Sequence, residues 1–176
     1  MGELAGAGVS QVIHRCNNAK EKGFLDLSHC KLMYVPNAVY FVLKDHVIWG
    51  VNLEGNELTK FPKKLMQNMP NLKLLNLSTN NISDNIPADI QNWTSLRRLN
   101  LSWNCLNVVP DCLLQLGTLE SLDVQNNKIS DVNIDRLSVA ENVKREIVLQ
   151  GNPLSEECRE KLTLFMEQHS NCTFRM

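Results

Sequence analysis

His29 and Cys30 stand side by side, a base next to a thiol, and this is the one pairing in the chain that suggests nucleophilic chemistry. In an extended segment, however, adjacent side chains point to opposite faces, so one member is inside when the other is outside. The six cysteines, Cys16, Cys30, Cys105, Cys112, Cys158 and Cys172, include no pair at zinc-binding spacing. The chain also lacks a glycine-rich phosphate loop and a G-x-S-x-G elbow. Neither an enzyme nor a bound cofactor or metal is expected from these residues. Two kinds of chemistry remain: the hydrogen bonding of asparagine amides that recur at regular intervals, and the contact surface of tryptophan and arginine.

The asparagines lead to the elements that place them. Leu96 to Leu106 reads LRRLNLSWNCL, with leucine at places one, four, six and eleven and asparagine at place nine. Leu72 to Ile82, Leu119 to Ile129 and Ile48 to Leu58 repeat the pattern, and looser copies run through Leu25, Leu27, Cys30 and Leu32 and through Ile147, Leu149, Asn152 and Leu154. The place-nine residues, Cys30, Asn56, Asn80, Asn104, Asn127 and Asn152, are separated by 26, 24, 24, 23 and 25 residues. This is one unit repeated six times. Within a unit, the alternation around places four and six puts leucine on one side of a short strand and polar residues on the other. The turn after it leaves backbone groups without strand partners, and an asparagine amide can both donate to them and accept from them. The asparagine column is therefore read as structural. Cys30, a weaker hydrogen-bonding partner, should leave the first coil dependent on its neighbour. The 26 leucines and 21 asparagines among 176 residues are what a stacked core with an amide column demands.

Around these units the ends must be covered, because a terminal coil cannot face water with its core. The first eight residues look like a loose terminus, and Val9, Val12, Ile13, Cys16 and Ala19 predict an amphipathic helix over 9–22 that covers the first coil. Proline follows an apolar residue at Val35-Pro36, Phe61-Pro62, Ile86-Pro87 and Val109-Pro110, where it ends strand-like pairing and leads into short helices or turns on the outer face. The fifth connection, Ser130 to Val143, lacks the proline, and Lys144 stands where a leucine is expected. Trp93 is read as packing. Ser155, Glu156 and Glu157 start a second helix whose face of Cys158, Leu162, Phe165, Met166 and His169 closes the core. The expected organisation is one structural domain, with a cap over 1–22, repeats over 23–154, and a capping helix with its tail over 155–176.

The repeated LxxLxLxxNxL segments resemble the leucine-rich repeat superfamily over roughly residues 22 to 158. The resemblance implies an α/β solenoid, curved, of about six coils, with a parallel sheet on its concave face that holds another protein. Extracellular members of that superfamily cluster cysteines in both flanking caps. This chain instead has one cysteine in the first helix, three at repeat positions and two after the last repeat, which favours reduced thiols. Sequons occur at Asn76, Asn81, Asn92, Asn100 and Asn171, but no secretory signal precedes them, so they are read as unused.

The net charge is −1 with the signs mixed, which excludes an electrostatic reader of nucleic acid or of an anionic membrane, and no segment approaches a membrane span. The candidate surface is the outward set on the strands: Phe24, Asp26 and His29; then Trp49, Asn52 and Glu54; then Lys73, Asn76 and Thr79; then Arg97, Arg98, Asn100 and Trp103; then Glu120, Asp123 and Gln125; and last Arg145, Glu146 and Gln150. Tryptophan and arginine are the types that most often dominate binding energy. The partner-binding residues are therefore expected among Trp49, Asn52, Asn76, Arg97, Arg98, Asn100, Trp103 and Asp123, with packing of the two tryptophans over the sheet edge as the structural alternative. The expectation is a monomeric cytoplasmic adaptor or scaffold for a protein partner. The rivals are an extracellular module with glycans on Asn76 or Asn100 and a Cys158 to Cys172 bridge, a subunit or regulator of an enzyme complex, and self-association through the last coil.

Overall fold

The computed structural model of the chain describes residues 2–83, 86–137 and 144–176, apart from the side chains of residues 2–7 and of Val9. Two parts of the sequence reading, the apolar role of Val9 and the end of the fifth connection at 138–143, lie outside the described residues.

Each LxL segment forms a three- or four-residue strand: Phe24–Asp26 (β1), Gly50–Asn52 (β2), Leu74–Asn76 (β3), Arg98–Asn100 (β4), Ser121–Asp123 (β5) and Arg145–Val148 (β6), followed by Cys172–Arg175 (β7). They pair in chain order as one parallel sheet. The register is constant, so Leu25, Val51, Leu75, Leu99, Leu122, Ile147 and Phe174 form one continuous buried row. A one-residue slip would turn every one of those side chains to water.

Parallel strands need crossovers. Here they run through Asn37–Val42 (α2), Lys64–Asn68 (α3), a 3₁₀ turn at Ala88–Asn92, Asp111–Leu114 (α4) and a 3₁₀ turn at Ile134–Arg136. Such short helices are not stable alone. Burial of Tyr40, Leu65, Ile90 and Leu113 against the strands holds the first four in place. The prolines contribute more than an end to pairing. Pro36, Pro87 and Pro110 each occupy the residue just before a helical turn, with φ of −61°, −69° and −60°, so the ring pre-sets the backbone that enters it. Trp93 is buried as expected, and its indole N–H donates to the Met69 carbonyl at 3.3 Å.

The first helix, Gly2–Lys22 (α1), begins earlier than its apolar pattern predicted, and residues 2–8, expected as a loose end, are helical. Apolar periodicity marks which face is covered, whereas the helix continues upstream through Glu3, Leu4, Ala5 and Ala7, residue types of high helix propensity. Val12, Cys16 and Ala19 are buried on the first coil. Gly23, at φ 66°, ends the helix with its N–H on the Ala19 carbonyl. Arg15, off the apolar stripe of the helix, reaches over the sheet edge and donates to the carbonyls of Asp26 and Ser28 at 3.1 and 2.9 Å.

At the other end, Glu156–Gln168 (α5) starts at Ser155, whose hydroxyl accepts from the Cys158 N–H at 3.1 Å. The cap does not finish there. The chain returns as β7, with Cys172 and Phe174 inward, and Phe174 meets the edge of Phe165 at 6.1 Å. The sheet therefore has seven strands where six repeats were counted. Arg145 is a second departure: the sequence placed it outward, yet it is buried at 6% exposure. It lies on the same side of β6 as Ile147, and its guanidinium donates to the carbonyls of Leu114, Leu116 and Leu119. These carbonyls follow or end the short α4 helix, where a cation is favoured.

Candidate functional site

Three columns of side chains build the concave surface and its rim. The first is the buried asparagine ladder. Each amide nitrogen donates to two leucine-row carbonyls and each amide oxygen accepts a backbone N–H from the preceding coil. Asn104, for example, donates to Leu77 and Leu101 at 2.9 and 3.1 Å and accepts from Ile82 at 2.9 Å. Asn56, Asn80, Asn127 and Asn152 repeat the arrangement. In the first coil, where Cys30 replaces asparagine, the Asn56 oxygen accepts from both Cys30 and Leu32, so the neighbour supplies what the thiol cannot.

The second column is place five. Asp26, Asn52, Asn76, Asn100 and Asp123 each accept the N–H of the residue two further on, at 2.8 to 3.1 Å. These are Asx turns that end each strand. Asn52, Asn76, Asn100 and Asp123, all candidate contact residues, therefore hold the backbone with one oxygen and show only the remaining atoms to the surface. Asn76 also donates to Glu54 at 3.2 Å. Burial pushes the Asp123 carboxyl above the usual carboxylate range, and neighbouring Glu146 adds to this. Burial acts in the same sense on Asp26 but is outweighed by hydrogen bonds from Ser28 and by nearby Arg15, which leave its carboxyl below the usual range.

The third column was missed in the sequence. His29, Gly55, Thr79, Trp103, Asn126 and Gly151, all at place eight, have φ between 53° and 71°. The turn into the ladder demands a left-handed residue there, and the signal was present in Gly55 and Gly151. Trp103 adopts this conformation at φ 53°, which is costly for a bulky side chain. It is also 59% exposed, and its indole makes no hydrogen bond among the described residues.

The two tryptophans thus differ. Trp49 is 43% exposed, packs on Phe24 at a 5.3 Å ring separation and donates from its indole to the Lys22 carbonyl at 3.1 Å. Gly23 leaves room for that ring, since a Cβ there would come within 2.7 Å of it. The arginines differ as well. Arg97 is held by the Thr94 and Leu96 carbonyls and lies 3.7 Å from Glu120. Arg98 is exposed and has no ion pair among the described residues. Asn76, Arg98, Asn100 and Asp123 line one shallow hollow of about 260 Å³ with half-buried Leu74. Its centre is basic and its β5–β6 flank acidic, through Asp123 and Glu146.

The six thiols are free, and no bridge joins Cys158 to Cys172. Burial raises the thiol pKa at Cys16, Cys112, Cys158 and Cys172, which keeps them protonated and unreactive. Among the described residues no three acidic, histidine or cysteine side chains converge as a metal site, and no helix is long and apolar enough to cross a membrane.

A sheet of parallel strands with an asparagine ladder on its turns defines a leucine-rich repeat solenoid. The chain belongs to the leucine-rich repeat superfamily: models described as leucine rich repeats match residues 50–106 and 117–132. It is 33% identical to the Protein flightless-1 homolog of Caenorhabditis elegans over 68% of this chain and 9% of that protein. It is 31% identical to lumican of Gallus gallus over 73% of this chain and 39% of lumican. A leucine-rich repeat protein of Leptospira interrogans has a solved structure that superposes with a TM-score of 0.68 at 28% identity, covering 87% of this chain and 36% of that one. The chain thus spans well under half of each of these relatives. Leucine-rich repeat domains are typically non-enzymatic and generally mediate protein–protein interaction.

Proposed function

We propose that the chain is a cytoplasmic adaptor or scaffold that holds a protein partner against its concave face, centred on Arg98 and Trp103. The observation that carries this reading is Trp103, a large apolar side chain left in water on a backbone conformation that glycine would occupy with less strain. Earlier in the same coil, Arg98 offers a guanidinium with no ion pair among the described residues at the Leu74 hollow, an arrangement suited to a partner segment that carries both carboxylates and an apolar side chain. Asn76, Asn100 and Asp123 shape the hollow and lend their free atoms. Arg97 and Trp49, each tied to backbone carbonyls, flank the strands at place two of the fourth and second coils. Six free thiols fit a reducing compartment.

Affinity capture from cytosolic lysate, with the natural protein beside a Trp103→Ala, Arg98→Glu variant and melting curves for both, tests the reading. A protein retained by the natural form and lost by an equally stable variant supports it. Capture that ignores the two substitutions moves the binding surface elsewhere.

A further inference from the structure

The loop of the first coil carries apolar side chains where the other coils are mostly polar. Places twelve and thirteen are Met33 and Tyr34, against Thr59 and Lys60 in the second coil and Ser130 and Asp131 in the fifth. The first coil is also longer, and Lys31 adopts a left-handed backbone at φ 54°, which no other described residue at its place does. Met33 and Tyr34 are consequently 68% and 73% exposed. Between this loop and the start of the second crossover lies a hollow of about 360 Å³, with Met33, Tyr34, Tyr40 and Phe61 among its lining residues. Lys60, Lys63 and Lys64 also line it, and no acidic residue does. Lys64 donates to Asn37 at 2.8 Å, while Lys60 and Lys63 have no ion pair among the described residues.

We infer that this hollow is a second docking site, which takes an acidic linear peptide segment by seating one bulky apolar side chain between Tyr34 and Phe61 while flanking carboxylates meet Lys60 and Lys63. Charge selects the occupant. An apolar side chain alone would fill the hollow but leave the lysines unused, and a basic segment would be repelled. An anionic membrane is a poorer fit, because surface attraction of that kind draws on a cluster of roughly 4–8 basic residues beside an apolar face that inserts. A concave hollow is suited to a single protruding side chain. The site lies on the flank of the first two coils, away from Arg98 and Trp103, and does not depend on their role.

The test is selection of a phage-displayed random peptide library on the full protein, followed by fluorescence anisotropy with the enriched peptides as synthetic probes. Enriched sequences should carry an aromatic or branched apolar residue flanked by Asp or Glu. Their affinity should fall at least ~10-fold in Lys60→Glu, Lys63→Glu and in Tyr34→Ser, fall with salt, and be unchanged in Arg98→Glu. Because these lysines and Tyr34 are exposed, the variants should melt with the natural protein, and melting curves verify this. Failure to enrich, enrichment of sequences without carboxylates, or equal binding by the Lys60→Glu, Lys63→Glu variant overturns the inference. So does binding to phosphatidylserine vesicles, but not to peptides, that those two substitutions abolish.

Discussion

A single asparagine of the ladder carries more free energy than any ion pair on the surface. The Arg97–Glu120 and Arg136–Asp111 pairs are exposed at 3.7 and 3.5 Å, and such pairs contribute about 0–1 kcal/mol. Asn104→Ala instead strands the Ile82 N–H in the core, while the Leu77 and Leu101 carbonyls keep only Asn80 and Asn127, and it should lower unfolding free energy by about 2 kcal/mol, measured by urea titration. Trp103→Gly should do the reverse. Glycine relieves the left-handed strain, as Gly55 and Gly151 do at the same place, so the variant should gain about 1 kcal/mol while losing the partner. A substitution that stabilises and abolishes binding separates function from folding. Asp123→Asn keeps the acceptor for Gln125 and removes a charge that burial and Glu146 disfavour. Because the folded pKa is raised, the ionised form is what destabilises, fully so above the folded value and not at all below the unfolded one. The variant should therefore melt higher than the natural protein at pH 7, with the advantage shrinking as pH falls and gone by about pH 3. At this scale the ladder was legible in the sequence, since place nine is asparagine in every coil but the first and has one task. Arg145 was not, because a positive charge reads as surface until the three carbonyls that receive it are known.

The helices at the two ends close the solenoid in different ways. α5 depends on a local cap, and Ser155→Ala should cost about 1 kcal/mol in thermal unfolding without touching the concave face. α1 depends on a long reach, because Arg15 satisfies edge carbonyls of the first coil from the helix above it. Both helices were visible as apolar stripes. Their extensions were not: α1 continues upstream of its stripe, and β7 is a four-residue alternation, Cys172 to Arg175, too short to stand out until β6 is there to pair with it. The crossovers show the same division. Their prolines were readable, while the choice between an α and a 3₁₀ turn was not.

For the molecule as a whole, a rigid scaffold built from repeated hydrogen-bond columns leaves two places where the pattern is relaxed, the Arg98–Trp103 strip on the sheet and the Met33–Tyr34 loop on the flank. The two hollows share no lining residue, so if both proposed sites bind, occupancy of one should leave affinity at the other unchanged in a competition titration. The asymmetry of the sheet's ends has a consequence for assembly. The outer edge of β1 is occupied by Arg15, whereas among the described residues no strand pairs with the outer edge of β7. Stacking one copy's β7 on the next copy's β1 would propagate without limit, and α1 closes that route, because the helix packs along β1 and Arg15 fills the carbonyls left over. Arg15→Ala removes two hydrogen bonds but leaves the helix in place, so light scattering should find no fibre growth in the variant.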